Sequence, residues 1–359
     1  MAKPPTASLG DTRAAFRRAL LRWYRRHRRP LPWRTSPSLY KTVVSEFMLQ
    51  QTQVATVLPY FERWLRELPS FTALAAAPES KVLKLWEGLG YYSRARNLHK
   101  LAQALANQPV PPRTASAWLE LPGVGPYTAA AITSISFGAP AAVVDGNVVR
   151  VLARVTGAAH LFRDNGEAVK YFTPHARALL NPRQPGDHNQ AMMELGATVC
   201  TRHNPHCSDC PVARFCAAHR SGNPGQLPRF KPKRTEALLV IRALCRHRGA
   251  LLLKRAATGA RRLTGLHELP EATDLGVNPA PDTLLATKHR TITRYRITEQ
   301  IHAVHPADRL LRRTAQNRTL EWVPIERLEH ITLSGPHRRW LRELLPLHWR
   351  RIGTKKPRA

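Results

Sequence analysis

The sequence predicts two domains of different class, a mainly helical domain followed by a smaller α+β domain. From Asp11 to about Cys216, apolar residues recur at the three- and four-residue spacing of amphipathic helices. Alternating β-branched residues, which are typical of strands, first appear after a stretch at residues 223–235 that is rich in Pro, Lys and Gly. The fold class therefore changes at that stretch.

This change of pattern sets the expected domain boundaries. They are a first domain at residues 1–222, a linker at 223–234, a second domain at 235–350 and a basic tail at 351–359. The segments of the second domain that resemble strands are residues 237–244, 250–253 and 291–304. No internal repeat is visible in the sequence.

Charge narrows the choice of partner. The chain has 359 residues, with 56 Lys and Arg against 24 Asp and Glu, and a formal net charge of +32. Such a field attracts a polyanion, so nucleic acid is the expected partner. No apolar run approaches the roughly 20 residues of a membrane-spanning helix, and the N-terminus lacks the apolar core of a signal peptide. We expect no membrane association and a cytoplasmic, nucleoid-associated location.

Four of the five cysteines lie within one short segment. Cys200, Cys207, Cys210 and Cys216 follow the spacing C-x6-C-x2-C-x5-C, which in a reducing compartment indicates metal ligands rather than disulfides. Clustered thiolates bind either tetrahedral zinc or an iron–sulfur cluster. Zinc sites usually show two C-x2-C pairs and this segment has one, so the spacing favours a [4Fe–4S] cluster.

A tight glycine turn precedes a candidate carboxylate. Residues 121–125 read Leu-Pro-Gly-Val-Gly, and Gly123 and Gly125 let successive backbone amides point at a phosphate. After a short helix, residues 144–147 read Val-Asp-Gly-Asn. We expect this helix to place Asp145 near the DNA strand whose phosphate the turn would bind. Taken alone, Asp145 is better explained as a simple turn former.

A second candidate carboxyl lies in residues 41–58, which read as one amphipathic helix. The apolar stripe of this helix consists of Val43, Phe47, Val54 and Leu58. Glu46 lies at the margin of the stripe, where partial desolvation raises the pKa of a carboxyl and lets it donate a proton near neutral pH. An isolated glutamate is more often simply solvated. Excision of a purine, however, needs one carboxyl to protonate the base and another to stabilise the sugar cation, so Glu46 and Asp145 form a candidate pair.

Several motifs together identify a family. They are residues 46–53, Gly-Leu-Gly-Tyr-Tyr at 88–92, the turn at 121–125, Asp-Gly-Asn at 145–147, residues 189–196 and the cysteine spacing. From about Arg22 to Cys216 the chain closely resembles the MutY family of adenine DNA glycosylases. The resemblance implies a helix-hairpin-helix glycosylase domain with a [4Fe–4S] cluster loop. It also implies a substrate of double-stranded DNA in which adenine is mispaired with 8-oxoguanine or guanine.

The resemblance assigns roles to individual residues. Glu46 would protonate adenine N7 and later handle water, while Asp145 would stabilise the oxocarbenium ion or a transient covalent adduct, with support from Tyr127 and Asn147. The residues that match the adenine pocket are Trp33, Arg34, Leu49 and Glu194. Those that match positions wedging into the base stack and contacting the oxidised guanine are Gln51, Thr52, Leu89 and Tyr91.

Other functions are known for proteins with a similar helical domain, and three of them are alternatives for this chain. Endonuclease III shares the hairpin, the aspartate and the cysteine spacing, but it has a nucleophilic lysine where this chain has Pro126 and Tyr127. We therefore expect a monofunctional hydrolase that leaves an abasic site. A monomer is the default expectation, because DNA-facing surfaces leave no obvious apolar patch for self-association. Thymine glycosylases can share the tyrosine, but thymine has no N7 for Glu46 to protonate. A DNA-binding protein without catalysis has no need for both Glu46 and Asp145.

The second domain resembles the Nudix-like C-terminal domain by which this family recognises 8-oxoguanine. Residues 251–255 and 265–270 carry the likeness, but too few acidic residues follow for a Nudix hydrolase. We therefore expect an α+β domain that reads damage. The recognition loop of the family, Phe-Ser-His, is matched here by Ile-Thr-Arg at residues 292–294. Thr293 supplies a hydroxyl without the aromatic ring and the imidazole, which leaves the preference for 8-oxoguanine over guanine open.

Overall fold

The computed structural model describes residues 12–345 except positions 107, 109, 233, 258–264 and 293, and it leaves out the side chains at 308, 309, 313 and 315. Thr293 and the basic tail expected at 351–359 lie outside the described residues. Within the described part, the first compact unit comprises the residues up to Ala76 and Asn97–Pro232. The second comprises Ala77–Arg96 and the residues from 234 onward.

Helices account for most of the first unit, as the sequence predicts. The described helices are, in chain order, α1 (Arg13–His27), α2 (Pro32–Thr35), α3 (Leu39–Leu49), α4 (Val54–Glu67), α5 (Phe71–Ala76), α6 (Glu79–Trp86), α7 (Ser93–Ala106), α8 (Ala115–Leu119), α9 (Pro126–Phe137), α10 (Gly146–Thr156), α11 (Asn165–Leu179), α12 (Pro185–Thr198), α13 (Ala217–Arg220), α14 (Ala272–Leu275), α15 (Asp308–Gln316) and α16 (Gly335–Leu344). Of these, α6, α14, α15 and α16 belong to the second unit.

The core of the first unit forms where α1, α10, α11 and α12 pack together. Phe16, Leu20 and Tyr24 lie four residues apart on α1, so they share one face of that helix and are fully buried. Gly196 of α12 lies against the start of α10, because a Cβ there would come within 2.6 Å of the Cβ of Asn147. This close approach fixes the N-terminal end of α10, which follows Asp145.

The single helix expected at residues 41–58 is wrong. The chain forms α3 and α4 instead, separated by a turn in which Gln51 adopts φ 56°. A left-handed residue cannot continue a right-handed helix, so the turn ends α3 three residues after Glu46. Glu46 therefore lies in the last turn of a short helix.

Two short strands join the expected linker to the first unit. They are β1 (Leu161–Phe162) and β2 (Arg229–Phe230), and they pair in parallel. The segment after α13 thus adds backbone hydrogen bonds to the first unit before the chain enters the second.

The second unit contains a mixed six-stranded sheet. Its strands are β3 (Glu236–His247), β4 (Ala250–Arg255), β5 (His267–Glu268), β6 (Leu284–Ile292), β7 (Tyr295–Val304) and β8 (Leu320–Pro324). The strand order is β5-β4-β3-β7-β6, with β8 also on β4, and only the β3–β7 pairing among the described ladders of this sheet is parallel. The segment 291–304, in which we expected strand-like alternation and the recognition loop at 292–294, contains the end of β6 and all of β7, with Ile292 opposite Tyr295.

Helices pack against both faces of this sheet around β4. Leu251 and Leu253 of β4 pack with Trp340 of α16, while Leu252 points to the other face and packs with Leu275 and Leu310. The unit therefore combines a sheet with helices on each side. Its likeness to Nudix domains stays a prediction.

Within the described residues, no helix is long and apolar enough to span a bilayer.

Candidate active site

Glu46 is buried on α3, with 6% of its surface exposed. Burial raises its pKa to about 7; Asp145 adds to this rise, while the Tyr127 hydroxyl and the Arg34 guanidinium oppose it. Its Oε2 atom is buried and accepts no hydrogen bond from any described residue. A carboxyl in this state holds a proton near neutral pH and has an oxygen available for a ligand.

Asp145 caps the N-terminus of α10. Its Oδ1 accepts a hydrogen bond from the Val148 amide at 2.7 Å, and its Oδ2 accepts one from Asn147 Nδ2 at 2.8 Å. Burial raises the pKa of Asp145, and these two hydrogen bonds oppose the rise because they favour the ionised form. The helix terminus thus fixes the orientation of this carboxylate.

Tyr127 lies on the first turn of α9, directly after Pro126 at the first helical position. Its hydroxyl donates to Met193 Sδ at 3.4 Å. Burial raises the pKa of Tyr127 well above its usual value, and the nearby carboxylates of Glu46 and Asp145 raise it further. The structure therefore brings a neutral phenol and two carboxyl groups within electrostatic range of one another, as the sequence predicts.

The two glycines of the hairpin differ in what surrounds them. Gly123 has φ 73°, and a Cβ there would come within 2.4 Å of Asn97 Cβ, so this position requires glycine. A Cβ at Gly125 would meet no atom within 4 Å. The backbone at Gly125 is therefore open to a ligand.

Glu194, expected in the adenine pocket, is engaged by two arginines. Arg29 binds both of its carboxylate oxygens, at 2.7 and 2.8 Å, and Arg34 Nη1 donates to Oε2 at 3.0 Å. Gln190 also accepts a hydrogen bond from Arg34 Nε, at 3.1 Å. These bonds lower the pKa of Glu194 despite its burial. Glu194 is therefore an anchor that orients Arg34, and Arg29 is a member of the site that the sequence did not reveal.

The other predicted site residues of the first unit lie on α2, at the end of α3 and in the turn after α3. Trp33 is buried and meets Phe61 edge-on, with the ring centroids 5.0 Å apart. Leu49 is partly buried at the end of α3. In the turn that follows, Gln51 is exposed and Thr52 Oγ1 donates to the Gln50 carbonyl at 3.3 Å.

Leu89 and Tyr91 belong to the second unit. Leu89 is buried, while Tyr91 is 56% exposed with φ 47°. The structure therefore does not group them with Glu46 and Asp145 in one compact unit.

Two arginines of α10 join the site to the cysteine segment. Arg150 donates to Asn147 Oδ1 at 2.8 Å and to the Cys200 carbonyl at 2.7 Å. Arg154, which is 2% exposed, donates to Cys200 Sγ at 3.3 Å and to the Thr201 carbonyl at 2.7 Å. Sequence reasoning missed both residues, although their spacing of four places them on one face of the helix that follows Asp145.

The four clustered cysteines line one cavity, together with Arg154 and His206. All four are free thiols. Burial raises the pKa of Cys210 to about 12 and also raises the pKa of Cys207 and of Cys216. Among the described residues, no three His, Cys, Asp or Glu side chains are arranged to hold one metal ion.

The chain is similar in sequence to known DNA repair proteins. Residues 44–165 match the family described as HhH-GPD superfamily base excision DNA repair protein. The adenine DNA glycosylase of Rattus norvegicus is 46% identical over 229 residues, covering 59% of this chain and 43% of that protein. The adenine DNA glycosylase of Schizosaccharomyces pombe is 41% identical over 230 residues, covering 58% and 50% respectively.

Solved structures match as well. A thermostable thymine-DNA glycosylase is 27% identical, with a TM-score of 0.53, and the match covers 60% of this chain and 99% of that one. The chain spans about half the length of the two curated relatives above. Residues 44–165 thus match the HhH-GPD family, and about 230 residues of the chain are similar to adenine DNA glycosylases.

Proposed function

We propose that the chain is a monofunctional DNA glycosylase that removes adenine mispaired with 8-oxoguanine or guanine in base excision repair. The observation that carries this proposal is the buried Glu46 carboxyl, with a pKa of about 7 and an unpartnered Oε2. The named relatives support the choice of adenine.

The proposed reaction uses the two carboxyl groups in turn. Glu46 gives its proton to adenine N7, and the electron pair of the C1′–N9 bond leaves with the base. The Asp145 carboxylate stabilises the sugar cation, and Asn147 holds that carboxylate in place. The Glu46 carboxylate then takes a proton from water as the water oxygen bonds to C1′. Tyr127 contributes a neutral hydroxyl between the two groups.

The adenine pocket would be built on Arg34. Glu194 and Gln190 hold its guanidinium, while Trp33 and Leu49 supply apolar surface beside it. In this assignment Glu194 acts through Arg34 and does not touch the base, since its oxygens are occupied by arginine donors.

The DNA contacts would come from several separate segments. The open backbone at Gly125, shaped by Gly123, suits a phosphate. Gln51 and Thr52 in the turn after α3, with Leu89 and Tyr91, would occupy the space left by an extruded base. The excess of basic residues suits double-stranded DNA, and we propose a monomer as the acting form.

The cysteine segment would hold a [4Fe–4S] cluster. In such a cluster each thiolate binds a different iron, whereas a zinc site requires its ligands to meet at one ion. Four cysteines around one cavity, with a single C-x2-C pair in their spacing, fit the cluster better. Cys200, Cys207, Cys210 and Cys216 would be the ligands, and the cluster would supply structural cross-linking of the loop after α12.

Replacing Cys210 by serine should remove most of the bound iron. The matched control is Cys245→Ser, because Cys245 is a buried free cysteine of the second unit that does not line the cavity. Iron and acid-labile sulfide should be measured per chain in protein purified without oxygen. Equal iron in both variants and the wild type would contradict the assignment.

The second domain is proposed to be Nudix-like and to read the base opposite adenine. We retain residues 1–222 as the catalytic domain, 223–234 as linker and 235–350 as reader. The mixed sheet, with helices packed on both faces around β4, supports an α+β reader domain. Thr293 would supply its hydroxyl contact.

The proposal is tested by single-turnover release of adenine from duplexes that carry A opposite 8-oxoguanine, G or T. We expect rapid release opposite 8-oxoguanine and intact strands until alkali is added. Equal rates opposite G and 8-oxoguanine would contradict a preference for 8-oxoguanine. If no adenine is released from any of the duplexes, the proposed function is wrong.

A thymine glycosylase is the second candidate, because a solved structure that the chain matches is named as one. The same assay includes T opposite G as substrate. Release of thymine but not adenine would select this candidate, and would leave the buried Glu46 without a base nitrogen to protonate.

A further inference from the structure

The turn that carries Tyr91 has an unusual backbone. Gly88 and Gly90 have φ 108° and 70°, and Tyr91 itself has φ 47°, a conformation that L-residues rarely adopt. The Tyr91 ring is exposed. A side chain on such a backbone keeps one direction only if surrounding contacts hold the turn.

Those contacts come partly from the turn itself. Trp86 Nε1 donates to the Gly90 carbonyl at 3.0 Å, and Arg94 Nη2 donates to the carbonyls of Leu89 and Gly90 at 3.0 and 3.1 Å. The Arg94 guanidinium also lies 5.5 Å from the centroid of the Tyr91 ring. Local bonds thus fix the shape of the turn.

The turn is bonded to residues near the C-terminal end of the described chain. Arg338 on α16 is 6% exposed and binds both oxygens of the Glu87 carboxylate, Nη2 donating at 3.0 Å. The same guanidinium donates to the carbonyls of Leu328 and Ile331, each at 2.7 Å. A bidentate arginine pair of this kind fixes orientation as well as distance.

Hydrogen bonds from Lys84 and Tyr92 tie the same segments. Lys84 Nζ donates to Glu87 at 2.8 Å and to the Ile331 carbonyl at 2.9 Å. The Tyr92 hydroxyl donates to the Leu333 carbonyl at 3.0 Å. Both flanks of residues 88–91 are therefore bonded to residues 328–338.

We propose that Arg338 is a positioning residue for base extrusion, which acts through Glu87 to hold the Tyr91 turn in the direction that enters the DNA stack. The inference rests on the proposed function. In this proposal the second unit has two roles. It reads the base opposite adenine, and it holds the Tyr91 side chain in position. A loosened turn would lower the rate of extrusion while leaving Glu46 and Asp145 unchanged.

The test is a double-mutant cycle in the full-length chain. Glu87→Gln keeps the shape of the side chain and removes the charge that Arg338 binds, and Tyr91→Ala removes the wedge. Extrusion is followed by fluorescence of 2-aminopurine placed at the adenine position, and excision by single-turnover adenine release. Each single variant should slow both by about tenfold to 100-fold. The double variant should be no slower than Tyr91→Ala alone.

Controls separate this role from loss of folding. Arg338→Lys keeps a positive charge without the bidentate fork, and should show the same defect. Glu343→Gln breaks the pair with Lys288 at a more exposed position on the same helix, and should leave extrusion unchanged. Two results would overturn the inference. One is a double variant whose rate loss is the product of the two single losses, and the other is a Glu87→Gln variant with the wild-type extrusion rate. If the wild type releases no adenine, the proposed function fails, but the 2-aminopurine cycle still decides the role of Arg338, because extrusion requires no excision.

Discussion

Glu46→Gln should lower single-turnover adenine release by about 10²–10⁴-fold, the range for loss of a general acid. Glutamine keeps the size of the side chain but has no acidic proton to give to the base. DNA binding should persist, because the substitution removes no positive charge. The rate is measured with enzyme in excess over a duplex carrying A opposite 8-oxoguanine, and binding is measured on the same duplex.

The matched control is Glu62→Gln, an exposed glutamate on the neighbouring helix α4. This variant should release adenine at the wild-type rate. A duplex with 7-deazaadenine tests the same step from the substrate side, since it lacks the nitrogen that accepts the proton. Wild-type enzyme should bind this duplex without releasing its base. A Glu46→Gln rate within threefold of wild type, or rapid release of 7-deazaadenine, would contradict the assignment.

Asp145→Asn should lower the rate on the order of 10²–10³-fold, the range for loss of one preorganised electrostatic contact. Asparagine is also a good N-cap, so α10 should remain intact while the negative charge near the sugar cation disappears. The same single-turnover assay gives the rate, and circular dichroism gives the helix content.

Asp164→Asn provides the control for Asp145→Asn. Asp164 caps α11 in the same way, by accepting a hydrogen bond from the Glu167 amide at 2.9 Å. Its substitution changes an N-cap without touching the site, so the rate should stay at the wild-type value. Comparable losses in the two variants would mean that the effect of Asp145 is helical stability and not catalysis.

The grouping of Glu46, Tyr127 and Asp145 was predictable because each lies in or beside a motif of the sequence. The depth of burial of Glu46 was not. Periodicity placed it at the margin of an apolar stripe, but burial depends on the packing of α9 against α3, which brings Tyr127 over the carboxyl. Helical period describes one helix and not its neighbours.

The end of α3 was missed for a local reason. Residues 50–53 contain neither Gly nor Pro, so no turn signal interrupts the apolar spacing. Gln51 nevertheless adopts φ 56°. Strand β6 was missed from Leu284 to Arg290, because the alternation that indicates a strand begins only at Thr291.

The networks of long side chains could not be predicted at all. Arg29 and Arg34 meet Glu194 across more than 150 positions of sequence, and Arg338 meets Glu87 across 251. In a chain with 56 Lys and Arg, composition gives no reason to select these arginines from the rest. Only the fold identifies which of them bind carboxylates.

The measurement that tests the central claim most directly is the pH dependence of single-turnover adenine release by the wild-type chain. Glu46 must be protonated to act, and its acid form is lost as pH rises through its pKa of about 7. The rate should therefore fall above about pH 7, approaching a tenfold loss per pH unit. A rate that stays constant or rises up to about pH 9 would show that the acid in this reaction is not a carboxyl of this pKa, and would contradict the role of Glu46.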